Sequence, residues 1–132
     1  MGLFDFFKKK IKDADMCLLR DLLVVAFTND GPTLQPKTRS IIADMVSYMD
    51  PNKYLKALSL NPDTIADVFP SDYKEKKKYL FKLFYVWKYS GNYSKRDSLK
   101  YIQKVSKKMK ISDKDYNYTY DFIRNNDISK GF

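Results

Sequence analysis

The side chains able to do chemistry in this 132-residue chain are carboxylates, ammonium groups and hydroxyls, because it has no histidine and a single cysteine, Cys17. Without histidine, Ser-His-Asp and Cys-His catalysis are excluded, and one cysteine cannot supply a closed nitrogen–sulfur tetrahedron for zinc. Any metal site must be built from oxygens, which suits Ca²⁺, Mg²⁺ or Mn²⁺. Cys17 stands among Met16, Leu18 and Leu19 and reads as a small core residue rather than a nucleophile. Glu75 is the only glutamate, so no glutamate pair exists for acid–base work. The four glycines, at 2, 31, 91 and 131, are isolated, which excludes a Gly-rich phosphate loop. The sequence therefore reads as non-enzymatic.

The formal net charge of +9 is unevenly placed. Residues 1–70 hold 9 Lys and Arg against 9 Asp and Glu, whereas residues 71–132 hold 16 against 7. Lys100, Lys104, Lys107 and Lys108 recur at helical spacing, and Lys95, Arg96 and Lys110 extend them into a basic stripe. Tyr93, Tyr101, Tyr116, Tyr118 and Tyr120 lie close in sequence and can stack on bases. Such a surface suits nucleic acid or an acidic protein partner. Against this, the cations are 21 Lys and only 4 Arg, the balance that AT-rich coding favours, whereas phosphate and base readers lean on arginine. No helix-turn-helix, RNP or zinc-finger spacing is present. The preferred reading makes the lysines a solvated helix face and the tyrosines a core margin.

Residues 1–12 form a separate amphipathic arm or short helix over about 3–12, with Phe4 and Phe7 inside a collar of Lys8, Lys9, Lys10 and Lys12. It can dock on the bundle, which is preferred, rest weakly on an anionic membrane surface, or mediate self-association. No stretch reaches the roughly 20 apolar residues of a membrane span. The apolar start is too short for a signal-peptide core, and its lysines follow rather than precede it. Phe6 stands where a myristoylation motif needs Ser or Thr. The expectation is a cytoplasmic protein, with peripheral contact at the inner face of the membrane as the alternative.

The elements that must position these groups read as helices. Asp13 caps a helix to about Phe27, with Leu18, Leu19, Leu22, Leu23 and Ala26 at helical spacing. Thr28-Asn29-Asp30-Gly31-Pro32 breaks it, and Pro36 starts the next, with Ile41, Ile42, Met45 and Met49 inward. Asp50-Pro51 and Asn61-Pro62 each start a short helix, carrying Tyr54, Leu55 and Leu58, then Ile65 and Val68. The longest helix spans about 72–89 on Leu80, Leu83, Phe84 and Trp87, with Gly91 as its C-terminal cap. At the end of that helix Trp87, with Tyr85, Tyr89 and Tyr93, lines either a ligand groove or, as preferred, the core. Ser94 with Asp97 and Ser112 with Asp115 resemble capping boxes for two further helices, the first burying Leu99, Ile102, Val105 and Met109 and the second Tyr116, Tyr120 and Ile123. The tail after Asn125 is expected to fray. The fold class is all-α: a compact bundle of six to eight helices in one domain, residues 13–132.

A shift of 60 residues aligns Leu23 with Leu83, Gly31 with Gly91, Ile42 with Ile102 and Met49 with Met109, which suggests two pseudo-repeated helical hairpins. Each has a long helix, a glycine turn and a capped helix, as in Phe27-Thr28-Asn29-Asp30-Gly31 and in Tyr89-Ser90-Gly91-Asn92-Tyr93-Ser94-Lys95-Arg96-Asp97. Over roughly residues 14–126 this pattern, with the opening Met1-Gly2-Leu3-Phe4-Asp5, resembles the TerB-like family, small helical proteins associated with tellurite resistance. The resemblance implies a stress-associated binding or scaffold protein with an acidic face for a divalent cation (Ca, Mg or Mn). Asp30 and Asp97 match two of the four family acids; Lys37 or Thr38 and Ser90 stand at the others, so the implied site is partly eroded. Asp44, on the following helix, either supplies another oxygen or lies on the surface. The preferred local reading places Asp30 in an Asp-Gly turn and Asp97 in a capping box. An unknown protein is the expected partner.

Overall fold

The computed structural model describes residues 10–128. Among them are six α-helices: α1 (Ala14–Asp30), α2 (Pro36–Met45), α3 (Pro51–Ser59), α4 (Tyr73–Tyr89), α5 (Lys95–Lys108) and α6 (Asp113–Asn125), with a 3₁₀ turn at Pro62–Thr64. Helix α1 starts where Asp13, in extended backbone, accepts the Asp15 and Met16 N–H groups at 2.9 and 3.2 Å. It is the central element. Met16 to Leu23, Val25 and Ala26 are all buried, so an apolar run that reads as one stripe is covered on nearly every side, by α3, α4 and α5. Helix α4 packs in addition on α2, α5 and α6, and its Leu80, Leu83, Phe84 and Val86 complete the core with Ile42, Ile102, Val105, Met109 and Ile123.

Several boundaries differ from the sequence reading. Phe4, Phe7, Lys8 and Lys9 lie outside the described residues. The helix expected over 3–12 does not reach residues 10–12: Ile11 is extended, its N–H donating to the Thr64 carbonyl and its carbonyl accepting from Ala66, both at 2.9 Å. A helix running through this point would remove the extended backbone that lets Asp13 cap α1. Pro36 and Pro51 do open helices, but Asn61-Pro62 yields only three residues of 3₁₀ turn. In α3 the buried residue is Ala57, while Leu55 and Leu58 face solvent. The tail does not fray at once. The Ile128 N–H donates to the Tyr89 hydroxyl at 2.8 Å, and Lys88 Nζ donates to the Ile123 carbonyl at 2.6 Å.

The two glycine turns do different work. Gly31 sits at φ 90°, ψ −158°, a region essentially confined to glycine, and its N–H closes α1 on the Phe27 carbonyl. Gly91 does not cap α4, whose C-cap is Ser90. It is needed for close approach, because a Cβ there would stand 2.6 Å from the Asn29 carbonyl oxygen and 2.8 Å from Asp30 Oδ1. The turns are riveted together: Asn29 Nδ2 donates to Ser90 Oγ at 2.9 Å, Asn29 Oδ1 accepts from Ser98 Oγ at 2.6 Å, and the Asn29 carbonyl accepts the Tyr93 N–H at 2.9 Å.

Candidate functional site

Arg20, Tyr79 and Tyr101 converge on one buried acid. Asp21, fully buried in α1, accepts from Arg20 Nε at 2.9 Å and from the Tyr101 hydroxyl on Oδ1, and from the Tyr79 hydroxyl at 2.5 Å on Oδ2. A buried carboxylate is tolerated when it is paired and hydrogen-bonded in this way. Arg20 continues outward, donating to the Ile65 carbonyl at 2.8 Å and pairing with Asp67 at 2.7 Å; Asp67 in turn meets Lys108 at 3.3 Å. Burial opposes the Arg20 charge, but Asp21 and Asp67 outweigh it and hold the guanidinium protonated. Burial and then the Asp21 charge push the Tyr79 and Tyr101 hydroxyls far up, so both stay neutral donors. The Cys17 thiol, fully buried, is pushed up by burial and contacts Tyr79 Oη and the Val68 N–H, each at 3.3 Å. Its environment is that of a core residue, not of an activated nucleophile.

This network anchors the wall of a polar groove of about 490 Å³ between α5 and residues 62–67. Lys10, Arg20, Lys104 and Lys108 face it, against Asp63 and Asp67, with Tyr101 on the floor. Arg20 and Tyr101 are fixed by Asp21, so their positions are set before any ligand arrives.

The predicted basic stripe is rearranged. Lys95 leaves it: its ammonium lies 4.9 Å from the Trp87 ring centroid and donates to the Lys88 carbonyl at 2.7 Å, and burial, with Lys88 and Lys37 nearby, lowers its pKa. Arg96, Lys100, Lys104, Lys107 and Lys108 are exposed, and at about 100° per residue they fall within roughly 120° of the α5 surface. Among the described residues, Arg96, Lys100, Lys104 and Lys107 have no ion-pair partner. Arg96 and Lys100 border a second groove of about 350 Å³ between α5 and α6, with Leu99, Gln103, Tyr116 and Tyr120. The predicted tyrosines scatter: Tyr101 joins the network, Tyr116 and Tyr120 pack on Phe84, and Tyr93 and Tyr118 are open to solvent.

Asp30 and Asp97 have local partners. Asp30 Oδ1 accepts the Gly91 N–H at 2.5 Å and Oδ2 the Gln35 N–H at 2.9 Å. Asp97 Oδ2 accepts the Ser94 hydroxyl at 2.6 Å, so the capping residues bond each other and Ser94 makes no side-chain cap to a helix N–H. Asp44 is exposed. Among the described residues no group of three or more Asp, Glu, Cys or His stands ready to hold a metal ion, and no helix is long and apolar enough to cross a membrane.

Sequence reading missed Arg20 and Asp21. The signal was present: two opposite charges inside Leu18-Leu19-Arg20-Asp21-Leu22-Leu23, on a helix with leucines on every side of them. No family model, curated protein or solved structure matches this chain.

Proposed function

We propose that this chain is a non-catalytic module that binds a polyanion along α5, with the groove between α5 and residues 62–67 as its fixed end. The observation that carries this reading is the row Arg96, Lys100, Lys104 and Lys107, exposed on one helix surface and free of ion-pair partners among the described residues. From Arg96 to Lys108 the row runs about 18 Å, the length of a few phosphates or carboxylates on an extended polymer. Lysine ammonium groups act there as point charges, which favours binding with little sequence preference. The cation site implied by the TerB-like resemblance is not part of this proposal, because both Asp30 carboxylate oxygens are engaged by backbone N–H groups.

The test is fluorescence anisotropy with a labelled single-stranded oligonucleotide, and with labelled polyglutamate beside it, across a salt series. Three to four cations engaged by a single strand give a slope of log K against log salt of about −2 to −3. A Lys100→Glu, Lys104→Glu, Lys107→Glu variant should lose at least about tenfold in affinity. Equal binding by the variant, or no binding of either polymer at low salt, removes the proposal.

A further inference from the structure

The two grooves beside α5 differ in what they offer besides charge. The one between α5 and α6, about 350 Å³, is walled by Leu99, Tyr116 and Tyr120. Arg96 and Lys100, without ion-pair partners among the described residues, border it. Tyr116 and Tyr120, one turn apart on α6, are half-buried because both rings pack on Phe84, at 5.3 and 5.8 Å. Tyr120 is enclosed further by Trp87 at 5.6 Å and by Arg124, 5.1 Å from its ring centroid. Tyr116 meets only the Phe84 ring among the described residues and is the more open of the two. Gln103 and Asn117 also line the groove, both exposed, and their side-chain amides have no hydrogen-bond partner among the described residues. Neither end of the described chain leaves over this groove. Ile128 bonds the Tyr85 and Tyr89 hydroxyls, which stand two residues either side of Trp87 and so about 160° around α4 from it. Lys10 lines the other groove, on the flank of α5 that carries Tyr101, Lys104 and Lys108.

We infer that the α5–α6 groove receives an unstacked base of a single-stranded nucleic acid whose phosphates follow Arg96 and Lys100. The inference rests on polyanion binding along α5 and gives that polyanion its chemical class. A polymer of bare phosphates or carboxylates engages the cations alone and has nothing to set against the tyrosine rings. A base does: every base has a π-face, so stacking on a tyrosine is tolerant of sequence, as lysine point charges are. Gln103 and Asn117 each hold a donor and an acceptor, the two functions that base edges present. In a duplex the base faces cover one another, so a base reaches a groove of this kind from a single strand.

The experiment uses the full chain and two fluorescein-labelled strands of about 12 nucleotides, a thymine oligomer and an abasic strand of the same length and charge. The thymine strand is expected to bind about tenfold more tightly than the abasic one, which is what one stacked base supplies. Tyr116→Leu keeps apolar volume against Phe84 and should bring the two strands within about twofold of each other; Tyr116→Phe should preserve the difference. Thermal melts accompany both variants. A strand carrying iododeoxyuridine gives a readout on the unaltered protein: irradiation should couple it to Tyr116 or Tyr120, located by digestion and mass spectrometry. Lys100→Glu with Lys104→Glu should weaken both strands alike. Equal binding of the thymine and abasic strands, or no adduct at either tyrosine, overturns the inference and leaves polyanion binding standing. Polyglutamate binding as tight as that of the thymine strand does the same. Absence of binding by either strand at low salt removes both proposals.

Discussion

The two repeated segments, α1–α2 and α4–α5, share a core pattern but not a hairpin: α4 packs on α5, whereas α1 packs on α3, α4 and α5, and α2 packs on α4 rather than on α1. At a spacing of 60 residues, Leu23 and Leu83, Ile42 and Ile102, and Met49 and Met109 are all buried. The polar positions break the correspondence. Arg20, Asp21 and Asn29 of the first segment stand opposite Leu80, Phe81 and Tyr89, while Tyr79 and Tyr101 of the second stand opposite Leu19 and Ile41. The first segment contributes a buried carboxylate and an amide; the second contributes the hydroxyls that bond to them. Their charges diverge too, with three cations against four acids in α1 and α2, and twelve against two in α4 and α5. Apolar burial requires only volume and spacing, so it can be repeated, whereas the buried carboxylate takes two of its three donors from the other segment.

The sharpest way to break this comparison is Asp21→Ala. It leaves the buried Tyr79 hydroxyl, the half-buried Tyr101 hydroxyl and Arg20 Nε without their acceptor, and should cost about 3–5 kcal/mol in urea unfolding at neutral pH. A cost under about 1 kcal/mol would mean that apolar packing alone joins the segments.

The glycine turns come next. Gly31→Ala and Gly91→Ala should each cost about 1–3 kcal/mol, the first from backbone strain at φ 90°, the second from steric contact with Asn29 and Asp30. The mechanisms separate in a double-mutant cycle: Asp30→Ala, which removes the oxygen 2.8 Å from a Cβ at position 91, should couple to Gly91→Ala by at least about 0.5 kcal/mol.

A subtler contrast lies at Thr38 and Ser98, which correspond in the repeat and are both buried. Ser98 Oγ donates to Asn29 Oδ1, whereas Thr38 Oγ1 has no hydrogen-bond partner among the described residues. Ser98→Ala should destabilise by about 1–2 kcal/mol, and Thr38→Val should be neutral or stabilising by up to about 1 kcal/mol. Thermal melts of the two variants decide whether the segments differ as the hydrogen bonds indicate.

Smallest near neutrality is a pH effect. Burial and the Asp21 charge raise the Tyr79 and Tyr101 hydroxyls above their ordinary value of 10.0. Unfolded tyrosines ionise near that value. The two groups therefore contribute fully to stability below about pH 10 and lose that contribution as pH rises further. Stability measured from pH 8 to 11 should fall on the alkaline side, and less steeply in Tyr79→Phe; parallel curves would remove these hydroxyls as the cause.

Much of the fold was legible along the chain. Asp13, Asp50 and Ser112 cap the helices they precede, Pro36 and Pro51 open theirs, and the leucine and isoleucine spacing marks the core. These are local effects, settled within a turn of backbone by one side chain or one fixed φ. The basic stripe was legible in part, since the spacing of Arg96 to Lys108 holds, but that of Lys95 does not: Trp87 and the end of α4 draw it away.

The helices, most of their caps, the apolar stripes and the excess of lysine after residue 70 follow from the chain alone, because each depends on neighbours within a few positions. Packing between helices settled that Arg20 and Asp21 are buried beside a polar groove, and that Gly91 is a contact rather than a cap. Those outcomes depend on residues about 45 to 80 positions apart meeting in space, and no local spacing encodes which hydroxyl reaches a buried carboxylate.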